Sequence, residues 1–359
     1  MNCRFFLGTY TSTLGHVDGC GPGIVPCEVD SRSGIMTTVG EAVAVENPSY
    51  LWLNEKGDRL YSISEICDFE GRDDGALNCF EVAEDGGLRL LQQRSSNGPG
   101  PAYCRGEETG SRLLVANYVG SNVNVYPIAE DGLLGEPVSS FKHEGTGPNE
   151  LRQEAPHPHS IAVMPGNEIV FVGDLGIDQL VGYRLDGLTK CIQKEDALSV
   201  RLRGGTGPRH FVVQGALRVL YVALELSSEI ACIRFDGDWR QVGEIEYISS
   251  HRKGDEATSH PSEILLSPDG RHLYIANRGI DCISGFEIGE GGSLEWLGDF
   301  SCVGKTPRHM ALSPDGLLLL VAHQDSSSLD SYFRDVESGA LKPTGESMAA
   351  GTPSYIEFC

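Results

Sequence analysis

Three arginines, two glutamates and a histidine recur at two fixed offsets from a set of prolines, and these residue types together can hold an anion and move a proton. The prolines are Pro48, Pro101, Pro158, Pro208, Pro261, Pro307 and Pro353, spaced 46 to 57 residues apart. The residues directly after them are Ser49, Ala102, His159, Arg209, Ser262, Arg308 and Ser354. Seventeen positions beyond six of the prolines stand Glu65, Tyr118, Leu175, Glu225, Arg278 and Gln324, with Tyr10 in the matching place near the chain start. A guanidinium group binds carboxylate or phosphate through two parallel hydrogen bonds, and histidine or glutamate can serve as a general base. One alternative is purely structural: Glu225 pairs with Arg209 or Arg278 and fixes register. Burying so many charges without partners is costly, so the set reads more readily as a site for acid-base work on an anion.

The segment GTGPNELRQEAPH lengthens the interval before Pro158, and as a loop over the site it offers Asn149, Arg152 and Gln153 as further substrate contacts. Metal chemistry is not expected. His143, His157, His159 and Asp174 lie in one stretch, but no two have a ligand spacing on a single element, and nearby arginines repel a cation. No glycine-rich phosphate loop opens a helix, so no nucleotide cofactor is expected either.

The elements that must position these residues follow from the repeat itself. After each proline comes a short alternating strand, then a turn, then a second apolar strand, as in HPSEILLSPDGRHLYIANR, TPRHMALSPDGLLLLVAHQ and NPSYLWLNEKGDRLYSISE. Segments such as SNVNVYPIAEDGLLGEPV supply strands three and four. Seven such units predict an all-β, seven-bladed β-propeller of four-stranded antiparallel blades, one domain over residues 1–359, whose innermost strands line a central channel. The chain starts with FFLGTYT, a second strand without a first, and ends with TPSYIEF, a first strand without a second. Pairing the two closes the last blade and hides its edges. A sandwich does not repeat a fixed unit seven times, and a β-helix has a much shorter period.

Composition narrows the partners. A formal charge of −23 over 359 residues repels nucleic acid and anionic membrane, while a local arginine cluster can still attract a small anion. No apolar run approaches membrane-spanning length, and Met1–Thr13 lacks the basic start and apolar stretch of a secretion signal. Eleven scattered cysteines without a CxxC pair read as free thiols, and the expected location is cytoplasmic. Oligomeric state is not legible.

The segments FFLGTYT, GPNELRQEAPHPHSIAV, GTGPRHFVV, YVALELSS, HPSEILLSPDGRHLYIANRG and TPRHMALSPDG together resemble the lactonase family of seven-bladed propellers. That family includes the propeller-type 6-phosphogluconolactonases and the carboxy-cis,cis-muconate cyclases. The resemblance implies catalytic roles for His159, Arg209, Glu225 and Arg278, and matches Arg308 to an arginine of the phosphogluconolactonase branch. It implies metal-free hydrolysis of a sugar-acid lactone, foremost 6-phosphogluconolactone, with His159 or Glu225 as the base. The alternatives are cyclisation of a carboxylated muconate and a non-catalytic interaction platform, although the WD and GH signatures of scaffold propellers are absent.

Overall fold

The computed structural model describes residues 2–107, 109–166, 168–187, 191–252 and 259–359, and almost every regular element in it is a strand. Seven antiparallel sheets follow one another along the chain, each ordered as a meander of four strands; the third gains a short fifth strand, Val200–Arg201. The seventh is closed as expected: Pro353–Phe358 pairs with Asn2–Thr9, which continues to Ile24–Asp30 and Met36–Thr38. The fold class is therefore the seven-bladed β-propeller.

The second strands of the blades are largely apolar because both of their faces are covered. Arg112–Asn117, Ile169–Asp174, Val219–Leu224 and Leu318–His323 are buried at every position. A strand covered on both faces loses the usual apolar-polar alternation. Leu318, Leu320 and Ala322 pack with Phe5, Leu7, Val25 and Ile356, whereas Leu319 and Val321 pack with Tyr274, Ala276 and Met310. One strand thus serves two cores, one per face. The outermost strands, such as Gln241–Ser249, keep polar, exposed faces.

The Cα positions group into two compact units. One comprises Met1–Ser49, Val82–Arg89 and Ser249–Cys359; the other comprises Tyr50–Glu81 and Leu90–Ile248. Among the described residues, no helix is long and apolar enough to cross a membrane.

Two expectations shift by small amounts. Six anchor prolines stand in first strands, but Pro48 does not, because that strand starts at Leu51. Asn47 adopts a φ of 41° and its carbonyl accepts the Ser49 N–H at 2.7 Å, so a tight turn consumes the residues ahead of the strand. The second offset falls one residue past the second strand everywhere except at Arg278. Its regularity survives in backbone bonding. The N–H groups of Tyr118, Leu175, Glu225, Gln324 and Tyr10 reach back 2.8–3.0 Å to the carbonyls of Gly100, His157, Gly207, Thr306 and Thr352, each the residue before an anchor proline.

A β-bulge marks the first offset. In six blades the register slips directly after the proline, so that one residue on the first strand has no opposite number. Bulges re-aim side chains. His159, Arg209 and Arg308 all occupy this region.

Candidate active site

Within the unit formed by Tyr50–Glu81 and Leu90–Ile248, four of the expected residues meet. Arg209 follows a turn held by Asp178, whose buried carboxylate accepts the N–H groups of Gly205, Thr206 and Gly207 at 2.7–2.9 Å. Gly207 has a φ of 63°, and a Cβ there would meet Leu226 at 2.5 Å, so only glycine fits. From that turn the Arg209 Nε comes 3.1 Å from Glu225 Oε2. The other oxygen, Oε1, accepts from Arg152 Nη2 at 2.6 Å. One carboxylate is thus gripped by two guanidinium groups, one buried and one 40% exposed. Burial opposes the charge of Arg152, but Glu225 and the phenol of Tyr118 outweigh it and raise its pKa. The trio carries a net positive charge beside His159.

His159 packs edge-on against Tyr118 (5.6 Å between centroids) and His210 (5.1 Å), and His210 in turn meets Tyr103 and Tyr50. Burial, then the charge of Arg209, then His210 push the His159 pKa well below its ordinary value, with Glu225 pulling weakly the other way. Its imidazole is therefore neutral near pH 7 and able to take a proton. Burial raises the Tyr118 pKa, eased by Arg152, so its phenol stays protonated.

The loop residues do not share one fate. Arg152 reaches Glu225, as described. Asn149 forms the loop's own turn, its Oδ1 accepting the Leu151 N–H at 3.2 Å. Gln153 departs from its expected role as a substrate contact: it is wholly buried, and both ends of its amide bond to backbone, Nε2 to the Leu175 carbonyl at 2.8 Å and Oε1 to the Asn149 N–H at 3.1 Å. The histidines weighed as metal ligands are also engaged elsewhere. His143 joins Asp174 and Tyr183 through two 2.6 Å contacts, and Asp174 accepts the His157 N–H at 2.7 Å. Among the described residues no three ligand-type side chains converge on a cation position.

The other unit holds Arg278 and Arg308. Arg278 donates to the carbonyl of His260 (3.0 Å) and, more weakly, to that of Pro261 (3.5 Å). Arg308 donates to Gln324 Oε1 at 3.0 Å and to the Tyr10 hydroxyl, with its guanidinium 4.9 Å from the Tyr10 ring centroid. Next to it, His309 accepts the Ile356 N–H on Nδ1 at 3.2 Å, which leaves Nε2 to face Glu263 at 3.3 Å.

Sequence reasoning missed His210, Tyr103 and Tyr50, the floor under His159. The signal was present one step further along each repeat. The second residue after the proline reads Tyr50, Tyr103, Ser160, His210, Glu263, His309 and Tyr355, aromatic or titratable in six blades.

Blades, bulges and a cationic cluster beside a neutral histidine define a propeller whose side chains can hold an anion and accept a proton. Residues 4–358 match the family model described as lactonase, 7-bladed beta-propeller. The chain belongs to this lactonase family. It is 31% identical over 356 residues to the 6-phosphogluconolactonase of Bacillus subtilis (98% of this chain, 97% of the relative). It is 29% identical to that of Formosa agariphila, covering 98% of each. Among solved structures it superposes on the periplasmic gluconolactonase of Pseudomonas aeruginosa with a TM-score of 0.90 and 28% identity, covering 100% of this chain and 99% of that one. A candidate 6-phosphogluconolactonase of Bacteroides fragilis gives 0.89 and 27%, covering 100% and 98%. Lactone hydrolysis is the class of activity these relatives define.

Proposed function

We propose that the chain hydrolyses 6-phosphogluconolactone to 6-phosphogluconate with no metal, using His159 as the general base. The observation that carries the choice of base is the double grip on Glu225. Both its oxygens are committed to guanidinium groups, whereas His159 is neutral beside them. Water gives a proton to His159 as its oxygen attacks the lactone carbonyl. Arg209, preorganised by Glu225 and by the Asp178 turn, stabilises the negative charge that develops on the carbonyl oxygen. The ring C–O bond then breaks, and the proton returns from His159 to the departing ring oxygen.

Arg278 and Arg308 are assigned to the anionic groups of the substrate. Support comes from guanidinium chemistry, which suits carboxylate and phosphate through paired N–H groups, and from the contacts that orient them, Arg278 on the His260 carbonyl and Arg308 on the Gln324 amide oxygen and the Tyr10 hydroxyl. Arg308 takes the phosphate in this reading, Arg152 approaches the substrate from the loop, and Asn149 shapes the turn beneath it. A cytoplasmic setting fits the eleven cysteines, all of them free thiols.

The test is hydrolysis of 6-phosphogluconolactone above its spontaneous rate, with a chelator present, by wild type and Arg209→Met. Fast wild-type turnover that the variant loses about 10²-fold or more supports the reading. A folded wild type that hydrolyses gluconolactone but not its phosphorylated form removes the phosphate assignment. One inert to both removes the lactonase mechanism.

A further inference from the structure

The geometry points to Gln153 as a positioning residue that acts on the lactonase site through Arg152, an inference that rests on the reading above. Arg152 sits on a loop and is 40% exposed, yet its Nη2 lies 2.6 Å from a buried carboxylate oxygen of Glu225. A long side chain on a solvated loop loses considerable rotamer entropy in such a contact, so something must hold its backbone still.

The next residue does so. Gln153 is wholly buried beneath the loop. Its backbone N–H donates to the Asn149 carbonyl at 2.7 Å and its carbonyl accepts from Gly147 at 3.0 Å, while its side-chain Oε1 accepts the Asn149 N–H. Gly147 makes room for it, since a Cβ there would fall 2.5 Å from the Gln153 amide carbon. The remaining donor, Nε2, ties the loop at 2.8 Å to the carbonyl of Leu175. Leu175 is the counterpart of Glu225 in the preceding blade, and its N–H holds the far end of the same loop at the His157 carbonyl. That end is fixed further by Ser121 on the Pro156 carbonyl at 2.7 Å and by Asp174 on the His157 N–H. A continuous line therefore runs from Leu175 through Gln153 and Arg152 to Glu225 and Arg209. Gln153 need not itself touch substrate to matter, because Arg209 is preorganised by Glu225, and Glu225 by Arg152.

A double-mutant cycle tests this. Gln153→Met and Arg152→Met should each lower kcat/KM by about tenfold, a loss within what small misplacements cause, and the double variant should lose no more than either alone. Losses that multiply to about a hundredfold, or a Gln153→Met enzyme at the wild-type rate, overturn the inference. Should Gln153→Met melt too low, Gln153→Glu keeps the shape and the Oε1 acceptor and puts a carboxylate oxygen in place of the donor to Leu175. A crystal structure of the folded Gln153 variant answers independently of turnover. Arg152 drawn away from Glu225 supports the inference, and an unchanged 2.6 Å contact overturns it, whereas wild-type turnover alone bears on the lactonase reading.

Discussion

Two strands of this protein begin with the same three residues, Pro208-Arg209-His210 and Pro307-Arg308-His309, and put them to different use. Their frames are alike. Each arginine lies in a bulge. Each follows a turn capped by an aspartate in left-handed conformation, Asp178 (φ 54°) and Asp281 (φ 49°); the latter accepts the Thr306 N–H at 2.9 Å. The difference lies in what stands across the blade. Glu225 meets Arg209, whereas its counterpart Gln324 meets Arg308. A carboxylate sets the direction of a guanidinium and offsets its charge, whereas an amide oxygen sets the direction without adding a negative charge of its own. The histidines diverge too. His210 floors the pocket of His159, while His309 has its Nδ1 bound to backbone and its Nε2 turned to Glu263. Repetition supplies the positions, and single side chains decide which chemistry each position performs.

The sharpest break is at the base. His159→Asn should lower kcat by about 10²–10⁴-fold, as removal of a general base does. His159 is faced by Arg209, His210, Glu225 and Tyr118, and its pKa is depressed from 6.5. Its activity should therefore persist as pH falls through 6.5 and decline only further down, seen as kcat/KM measured from pH 8 to 4.5. The same depression means the folded state binds fewer protons than the unfolded state below about pH 6.5, so this residue's contribution to stability shrinks as pH falls through that value. A flatter fall of melting temperature with acid in His159→Asn would agree. An acid limb centred at or above 6.5 in the wild type would place the working proton on another group.

Exchanging the residues across the two blades comes next in size. Glu225→Gln makes the Arg209 blade resemble the Arg308 blade and strips a buried guanidinium of its carboxylate. Removing one member of a buried pair costs about 3–5 kcal/mol, so the melting temperature should drop, with turnover reduced even where the variant is folded. The reverse exchange, Gln324→Glu, places a carboxylate where Arg308 meets the Gln324 amide oxygen. It should raise KM for the phosphorylated lactone by about tenfold and affect unphosphorylated gluconolactone less, since only the former needs the guanidinium charge. Equal effects on both substrates would move the phosphate away from Arg308.

The propeller and the closure of its last blade were legible because they rest on periodicity, and seven copies average out local noise. The places of His159, Arg209, Glu225 and Arg278 in their strands could be read for the same reason, since each stands at a fixed offset from an anchor proline. What escaped was whatever the repeat does not encode. Gln153 lies in an insertion unique to one interval, and nothing in GPNELRQEAPH shows that Arg152 points to Glu225 while its neighbour turns under the loop. The start at Leu51 and the strand ends one residue early depend on local turns such as the left-handed Asn47, which periodicity does not register. His210 shared a readable position but had no partner until the chain folded Tyr50 and Tyr103 against it.

The smallest expected effect is also the one that tests whether the twin histidines differ in kind. His309 packs its ring 3.9 Å from that of Tyr355 and has both nitrogens engaged within the fold. Neither nitrogen is placed to take a proton from water. His309→Leu removes the acceptor of the Ile356 N–H and the partner of a mostly buried Glu263, a loss of about 1–3 kcal/mol that should appear as a lower melting temperature. Turnover measured below that temperature should stay at the wild-type rate. A His309→Leu protein that keeps its stability and loses turnover would instead make the second Pro-Arg-His strand a working copy of the first, and the division of labour between the two blades would have to be redrawn around Glu263.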